Sequence, residues 1–355
     1  MAARIAISLV AVLAAVLMAT LIEFEGTPVA STAEGAAPAA VPAVVRDTYV
    51  AADRYGFLTA ADGAKLRFGV WTAKATPARG SILLLTGRGE FIDKYAVDIV
   101  PTLLARGFAV YAMDWRGQGL SARLVEDRQK GHIDSFDTYL SDLKAFIATV
   151  VEPEAPRPVV GLTHSMGGNV LLRYLAETGP ESKVAAAVFG APMTGLRREA
   201  IISTMLMLLP SVPQVDERFF YGSAPFQLIG REFIGNKVTH DERRFRFTEA
   251  WFAADPRLSL GGPTVGWLRQ ATRSIRALDA PGVPERIAVP TLVFSAGQDL
   301  LVDSKTHAAI CERIPGCALI PYPDARHEIM METDAIRARL FRDLDPFLDR
   351  VAPKR

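Results

Sequence analysis

A serine lies between a short apolar segment and a helical pattern, in the run Leu162-Thr163-His164-Ser165-Met166-Gly167-Gly168. Residues 158–162 predict a strand, and residues 169–175 predict a helix. A tight turn between them exposes the serine hydroxyl at the end of a sheet, and the helix N-terminus stabilises negative charge beside it. The usual motif is Gly-x-Ser-x-Gly, and Thr163 replaces its first glycine. Because serine beside glycine is also common in ordinary turns, the run alone leaves both interpretations of Ser165 open.

Apolar runs typical of strands alternate with helical patterns along most of the chain. Residues 64–71 alternate apolar and polar side chains, as a half-exposed edge strand does, whereas the other runs predict strands buried on both faces. Those strands are residues 81–85, 108–113, 184–189, 290–295 and 318–322, and the predicted helices are residues 94–106, 136–150, 169–177, 304–314 and 335–348. This alternation predicts an α/β fold with a doubly wound, mostly parallel sheet.

The alternation stops between Pro192 and Pro284, where strand runs give way to helical patterns. We interpret residues 193–284 as a helical cap inserted over the carboxyl ends of the strands, where open α/β sheets bind their ligands. The α/β core then comprises residues 47–192 and 285–350. The Ala- and Pro-rich residues 26–46 predict a linker before this core.

The first 25 residues, 1–25, differ from the rest of the chain. Arg4 precedes an uncharged apolar run over residues 5–22, which is long for a signal-peptide core and short for a membrane span. A cleaved signal and an uncleaved anchor that holds the protein at the membrane both stay open. With Arg4 on the cytoplasmic side, either one places the folded part in the bacterial periplasm or on the outer face of the inner membrane. If translation starts at Met18 instead, the protein is cytoplasmic.

Charge and cysteine content exclude several classes of protein. The 40 Lys and Arg residues nearly balance the 39 Asp and Glu residues and form no basic stripe, so we expect no nucleic-acid partner. Two cysteines, Cys311 and Cys317, are too few for a disulfide scaffold or a cysteine-based zinc site. They are close enough to form one disulfide in an oxidising compartment, but we favour two buried thiols.

A nucleophilic serine needs a base to remove its proton and an acid to orient that base. His327 follows the last predicted strand through a short loop, at a strand end from which it can reach Ser165. His164 adjoins the serine on the turn, and we expect it to be structural. The acid is expected after the preceding strand, where Asp299 lies, and Asp303, which resembles a helix N-cap, is the weaker candidate.

The negative oxygen that forms on a reacting carbonyl needs fixed N–H donors. The main-chain N–H of Met166, directly after the serine, is one candidate. The N–H of Arg88, in the glycine-rich loop at residues 86–90, is the other, although this loop taken alone is better explained as a strand-to-helix turn. Its Gly-x-Gly lacks the third glycine of a dinucleotide-binding loop.

A further glycine-rich loop, residues 114–121, follows the predicted strand at residues 108–113. Its two glycines allow a tight turn, and we expect Asp114 and Arg116 to pair and brace it. We interpret this loop as scaffold and not as part of the chemistry.

Together these motifs resemble those of the α/β-hydrolase superfamily and, more narrowly, of the bacterial lysophospholipase and monoacylglycerol lipase group. The resemblance covers roughly residues 53–347, and it implies an α/β-hydrolase fold with a helical cap and neither a cofactor nor a metal ion. The segments that carry it are residues 87–95, 114–119, 164–168, 260–268 and 325–329. Thr163 and Thr86 depart from the family pattern, which often has glycine and histidine at these positions.

The resemblance also implies a role for each candidate residue. Ser165 is the nucleophile, Asp299 the acid and His327 the base, and the N–H groups of Arg88 and Met166 form the oxyanion hole. The implied enzyme is a serine carboxylic-ester hydrolase that releases a fatty acid from a lysophospholipid or a monoacylglycerol through an acyl-enzyme. An aminopeptidase or amidase with the same triad, and a non-catalytic binding module with this fold, are the alternatives.

Apolar stretches of the expected cap, residues 201–209 and 219–221, fit a lipid substrate. Packing between cap and core explains such stretches more often, so we expect most of these side chains to be buried.

Overall fold

The structure is a computed structural model that describes residues 35–227 and 232–354. The predicted signal or anchor, residues 1–25, and the first part of the predicted linker lie outside the described residues. Among the helices in the described ranges, none is both long and apolar enough to cross a membrane.

Eight strands form one sheet. They are β1 Arg54–Thr59, β2 Lys65–Trp71, β3 Gly80–Leu85, β4 Phe108–Met113, β5 Val159–His164, β6 Ala186–Gly190, β7 Thr291–Ala296 and β8 Cys317–Tyr322. Their order across the sheet is β1-β2-β4-β3-β5-β6-β7-β8. β2 pairs antiparallel with β1 and β4, and all other neighbours are parallel. The mostly parallel sheet predicted from the sequence is confirmed.

Helices lie between the strands and also form a long insertion between β6 and β7. The α-helices of four or more residues in the described ranges are α1 Ile92–Tyr95, α2 Ile99–Ala105, α3 Phe136–Phe146, α4 Ser165–Thr178, α5 Glu199–Leu208, α6 Pro213–Asp216, α7 Glu242–Ala254, α8 Val265–Asp279, α9 Lys305–Arg313 and α10 Asp334–Val351. A π-helix, Ile147–Val151, continues α3. The predicted helix at residues 94–106 is thus divided into α1 and α2. Helices α5 to α8 lie in the predicted insertion, residues 193–284. That this insertion forms a separate cap stays a prediction.

The central strand β3 shows why the inner strands are continuous apolar runs. All of its residues are buried. Ile82 and Leu84 lie in an apolar cluster with side chains of α2 and α10, whereas Leu83 and Leu85 lie in a cluster with side chains of α3 and α4. Because helices cover both faces of the sheet, successive side chains are buried in opposite directions.

The antiparallel edge of the sheet is β1, a strand that the sequence pattern does not reveal. The interpretation of residues 64–71 as an edge strand is wrong, because β2 lies between β1 and β4 and every residue of β2 after Lys65 is buried. In β1 only Leu58 is fully buried, which explains its weak apolar signal.

The described part of the predicted linker packs against the domain. Val45 is fully buried in an apolar cluster that contains Phe91. The Nε of Arg67 donates a hydrogen bond to the main-chain oxygen of Ala36 at 2.5 Å. Packed structure therefore begins about ten residues before Asp47, where the sequence predicts its start.

Cys311 in α9 and Cys317 at the start of β8 form a disulfide, with Cα atoms 5.4 Å apart. The prediction of two buried thiols is therefore wrong. The turn between α9 and β8 brings the last part of the helix beside the first residue of the strand. The disulfide closes this connection, and β8 continues from it towards His327.

Candidate active site

Ser165 lies at the sharp turn between β5 and α4. Its φ angle is +50°, in the left-handed region that residues other than glycine rarely adopt. Gly167 permits this turn, because a Cβ atom there would lie 2.6 Å from the main-chain oxygens of Leu85 and Thr86. The first turn of α4 thus packs directly against the end of β3, which holds the serine at the carboxyl edge of the sheet.

Thr163 fits the strand in place of the usual glycine. It pairs with Leu85 of β3 and Phe189 of β6 in regular parallel register. Its hydroxyl donates a hydrogen bond to the main-chain oxygen of Val188 at 3.3 Å. Gly168 provides the space, since a Cβ atom there would lie 3.2 Å from Thr163 Oγ1. The departure from the motif therefore leaves the pairing of β5 intact.

Ser165, His327 and Asp299 form one hydrogen-bonded chain. Nδ1 of His327 lies 2.5 Å from Oδ2 of Asp299, and Nε2 lies 3.0 Å from Oγ of Ser165. With its proton on Nδ1, the imidazole donates to the carboxylate and leaves Nε2 free to accept the serine proton. The structure thus brings together the three residues that the sequence predicts, from the ends of β5, β7 and β8.

The acid in contact with the base is Asp299 and not Asp303. The second carboxylate oxygen of Asp299 accepts hydrogen bonds from two main-chain N–H groups of the following turn, at 2.8 and 2.9 Å. Burial alone raises the pKa of Asp299, but His327 and these N–H groups outweigh it and hold the pKa below 3.8. Asp303 instead accepts a hydrogen bond from the N–H of Lys305 at the start of α9, as a capping residue does.

The two predicted oxyanion-hole residues lie in adjacent segments. Met166 is in the first turn of α4, where main-chain N–H groups have no partner within the helix. Arg88 lies in the loop after β3. Gln118, which the sequence did not single out, joins the two: its Oε1 accepts a hydrogen bond from Gly89 N–H at 2.5 Å, and its Nε2 lies 3.5 Å from Met166 Sδ. Because Gln118 is fully buried, it fixes the Arg88 loop beside the nucleophile.

The loop after β4 is braced, but the predicted pair of Asp114 and Arg116 is wrong. Asp114 accepts hydrogen bonds from two main-chain N–H groups and from the guanidinium of Arg67. Arg116 instead forms a salt bridge with Asp142 of α3, at 2.7 Å. Both acidic partners are buried, so each arginine fixes a different side of the loop that carries Gln118.

A buried ionic network lies directly behind the base. Glu90 accepts hydrogen bonds from Lys94, Tyr95 and His164, at 2.6, 2.8 and 2.9 Å. The second ring nitrogen of His164 lies 3.3 Å from the main-chain oxygen of His327, and the two imidazole rings are 4.7 Å apart. His164 therefore connects the oxyanion loop to the loop of the base. In the sequence, the spacing of four residues between Glu90 and Lys94 is the one signal of this network.

The charges of this network support each other. Burial alone lowers the pKa of His164, but the Glu90 carboxylate outweighs it and raises that pKa above 6.5. Burial alone raises the pKa of Glu90, but Lys94 and His164 hold it well below 4.5. An imidazolium donates at both nitrogens, as the contacts of His164 with Glu90 and with the oxygen of His327 require.

The substitution His164→Gln tests this charge pairing through the pH dependence of stability. A raised histidine pKa adds stability that is complete below pH 6.5 and is lost as the pH rises through the folded-state pKa. A lowered pKa of Glu90 adds stability that is present above pH 4.5 and is lost at lower pH. The free energy of unfolding should therefore fall most, relative to the wild type, at about pH 5.5 and less at about pH 8.5. Urea unfolding at both pH values measures this difference, and a deficit independent of pH contradicts the pairing.

His307 is a buried histidine with no contact to the serine. Its Nε2 donates a hydrogen bond to the main-chain oxygen of Pro192, and its Nδ1 accepts one from the Ser295 hydroxyl, at 2.9 and 2.8 Å. Burial lowers its pKa to about 4, so the ring is neutral. It fixes α9 to β7 and to the loop after β6, which keeps the turn of Asp299 in place.

The described residues thus contain a serine that is hydrogen-bonded to a histidine–aspartate pair, with the segments of Arg88 and Met166 nearby. Within residues 35–227 and 232–354, no group of three or more His, Cys, Asp or Glu residues is arranged to hold a metal ion. The arrangement can transfer an acyl group from an ester or an amide to Ser165 and then to water.

Comparison with known proteins places this geometry in a family. The family described as serine aminopeptidase, S33 (Hydrolase_4), matches residues 76–334. Lysophospholipase L2 of Escherichia coli K12 is 29% identical over 279 residues, which cover 76% of this chain and 80% of the relative. The monoglyceride lipase of Saccharomyces cerevisiae is 24% identical over 305 residues, which cover 81% of this chain and 91% of that protein.

Solved structures with the same fold include a soluble variant of the Saccharomyces cerevisiae monoglyceride lipase in complex with a substrate analogue. It aligns with a TM-score of 0.66 and 20% identity over 85% of this chain and 97% of the other. The monoacylglycerol lipase of Paleococcus ferrophilus aligns with a TM-score of 0.60 and 17% identity over 80% of this chain and 98% of the other. The matched family model spans most of the core and the whole triad, from residue 76 to residue 334. The chain therefore belongs to the Hydrolase_4 (serine aminopeptidase, S33) family and has the α/β-hydrolase fold.

Proposed function

We propose that this protein is a serine ester hydrolase that releases a fatty acid from a single-chain lipid. The observation that carries the proposal is the chain of hydrogen bonds from Asp299 through His327 to Ser165, beside the N–H groups of Arg88 and Met166. These contacts join an acid, a base and a serine hydroxyl in the order that acyl transfer uses. The non-catalytic binding module has no support from this geometry.

The reaction follows from the positions of the three side chains. As Ser165 Oγ attacks the ester carbonyl, Nε2 of His327 takes the serine proton, and the N–H groups of the oxyanion hole stabilise the negative oxygen. His327 then gives the proton to the alkoxide oxygen as its bond to the acyl carbon breaks. Water attacks the acyl-enzyme, His327 takes a proton from it and returns that proton to Ser165, and the fatty acid leaves.

The choice of a lipid rests on the named relatives and on the surface of the cap. The relatives described above carry the names lysophospholipase and monoglyceride lipase. The expectation that the apolar stretch at residues 201–209 is mostly buried is confirmed only in part. Leu206 is buried, and three half-buried side chains pack against the core, those of Ile202, Met205 and Leu209. Ile201, Met207 and Leu208 are instead 58%, 77% and 53% exposed. An exposed apolar surface of this kind suits a lipid substrate better than a hydrophilic one.

A panel of substrates tests the proposal on the full-length chain purified in mild detergent. We expect fatty-acid release from a lysophospholipid or a monoacylglycerol of the same acyl chain, and from p-nitrophenyl esters. Aminoacyl p-nitroanilides test the alternative that the family description suggests. Faster cleavage of the anilides overturns the proposal in favour of an aminopeptidase, and no turnover of any ester or amide leaves only the binding module.

For the location of the protein, we propose an oxidising compartment outside the cytoplasmic membrane. Two features support it: the disulfide between Cys311 and Cys317, which cytosolic reductants oppose, and the apolar run at residues 5–22. Thiol alkylation of native cells without reductant, followed by mass spectrometry, tests it. Unmodified cysteines support export, and alkylation of both cysteines places the folded part in the cytoplasm.

A further inference from the structure

The side chain of Arg88 places a positive charge beside the proposed oxyanion hole. Its Nη1 and Nη2 donate hydrogen bonds to the main-chain oxygens of Gly261 and Gly262, at 3.1 and 2.8 Å. The guanidinium lies 5.1 Å from the centre of the Trp267 ring, which is 4% exposed and limits its movement. A guanidinium has five N–H donors, so three remain after these two bonds, and Nε is buried without a partner.

No carboxylate of the described residues forms an ion pair with Arg88. Withdrawal from water lowers the pKa of Arg88 to about 10, and the Tyr139 phenol opposes this shift only weakly. Main-chain oxygens orient the guanidinium, but they leave its positive charge uncompensated. The side chain is half-buried. A charge that is partly withdrawn from water without a counter-ion is costly, so its retention beside a nucleophile indicates a function that requires the charge.

Two arginines of the neighbouring loop, Arg123 and Arg128, are held in the same way as Arg88, by main-chain oxygens. Arg123 donates hydrogen bonds to main-chain oxygens only, among them that of Gly119, next to Gln118. Arg128 binds the same oxygen of Gly119 at 3.4 Å and is 7% exposed. In the described part of this loop, neither arginine has a carboxylate hydrogen-bonded to it. Their hydrogen bonds go to main-chain oxygens of residues 119, 121, 128 and 257, so neither arginine is bonded to the Arg88 loop.

Arg88 is also close to the reacting atoms through a short chain of contacts. Gly89, the next residue, is bonded through Gln118 to Met166, which directly follows Ser165. In a glycerol lipid, the head group lies a few bond lengths from the ester carbonyl that the serine attacks. An arginine side chain has a similar length. A neutral glycerol has no charge for this guanidinium to bind, whereas a phosphate offers an anion with several acceptor oxygens.

We infer that the Arg88 guanidinium binds the phosphate of the substrate and so makes the enzyme prefer lysophospholipids to monoacylglycerols of the same acyl chain. This inference rests on the proposed function, because it assigns the choice of head group at the same serine site. The main-chain N–H of Arg88 serves the oxyanion, and its side chain serves the head group. Arg88 thus contacts both the reacting carbonyl and the head group, which is the part that distinguishes one single-chain lipid from another.

The test compares kcat/KM for lysophosphatidylglycerol and for monoacylglycerol with identical acyl chains, in the wild type and in Arg88→Gln. The variant keeps the main-chain N–H and loses the charge. Hydrogen bonds to charged groups are strong, so the ratio of lysophospholipid to monoacylglycerol kcat/KM should fall about tenfold to a hundredfold in Arg88→Gln. Arg88→Lys, which keeps the charge but not the planar donor fork, should give an intermediate ratio.

Arg123→Gln is the matched control, because Arg123 is also bonded to main-chain oxygens but lies one loop away from the serine. The ratio of lysophospholipid to monoacylglycerol kcat/KM in Arg123→Gln should equal that of the wild type, even if the substitution lowers the stability of the fold. If Arg88→Gln slows both lipids equally, Arg88 only positions the loop and the inference is overturned while the proposed function stands. If the wild type hydrolyses neither lipid, the proposed function itself fails.

Discussion

Replacing Ser165 by alanine should lower kcat for ester hydrolysis by about a million-fold, to the level left by binding and the oxyanion hole. The reason is geometric: Oγ of Ser165 is the one hydroxyl within hydrogen-bond distance of Nε2 of His327, at 3.0 Å, in the described part of the chain. Steady-state release of p-nitrophenol from a short-chain ester measures the loss. Labelling with a fluorophosphonate should disappear in the same variant.

The fold should survive this substitution, because alanine occupies less space and leaves the register of β5 with its neighbours unchanged. Thermal unfolding of Ser165→Ala and of the wild type is the necessary control. A folded variant that still hydrolyses esters at the wild-type rate would show that another residue is the nucleophile.

Replacing Asp299 by asparagine should lower kcat by about ten-thousand-fold, the second largest effect. An amide in this position favours the wrong protonated nitrogen of His327, so Nε2 no longer accepts the serine proton. The carboxylate also accepts two main-chain N–H groups, and an asparagine oxygen can keep one or both of these bonds. The loss should therefore appear in kcat and much less in the free energy of unfolding.

Asp303→Asn is the matched control for this prediction. Asp303 is four residues away and contacts the start of α9 instead of the base. Its substitution should leave kcat within about threefold of the wild type, because a cap contributes about 1 kcal/mol to stability and nothing to the chemistry. Reversal of the two effects would identify Asp303 as the acid.

The sequence predicts the triad because each of its members follows a strand with a strong apolar pattern. Parallel strands that are covered on both faces consist of continuous apolar runs, and the carboxyl ends of such strands meet at one edge. Ser165, Asp299 and His327 therefore converge for a topological reason that needs no knowledge of side-chain contacts. The same rule explains why the inner strands β3 to β7 are recovered with small errors at their ends. The prediction that residues 318–322 form a strand buried on both faces is wrong, because β8 is the other edge of the sheet and only its last residue, Tyr322, is buried.

Other features depend on contacts between distant segments, which periodicity does not encode. β1 is half exposed, and its pairing with β2 decides that β2 is not an edge. Arg116 pairs with Asp142 of α3 and not with Asp114, because the fold brings that helix beside the loop. The disulfide likewise depends on how α9 turns into β8. Secondary-structure propensity and residue spacing identify such residues in the sequence, but their partners are determined by tertiary packing.

Helix α8 has a consequence for how this family can diversify. Parallel neighbouring strands such as β6 and β7 need a crossover connection, which takes the chain from the carboxyl end of the first strand back to the amino end of the second. α8 lies before β7 and contacts α3 and α4 as well as α5 and α6, so we expect it to stabilise the α/β core as well as the insertion. A chimera that takes the segment covering the substrate from a relative should therefore be joined near residues 195 and 263. A chimera that also replaces α8 should fail to fold.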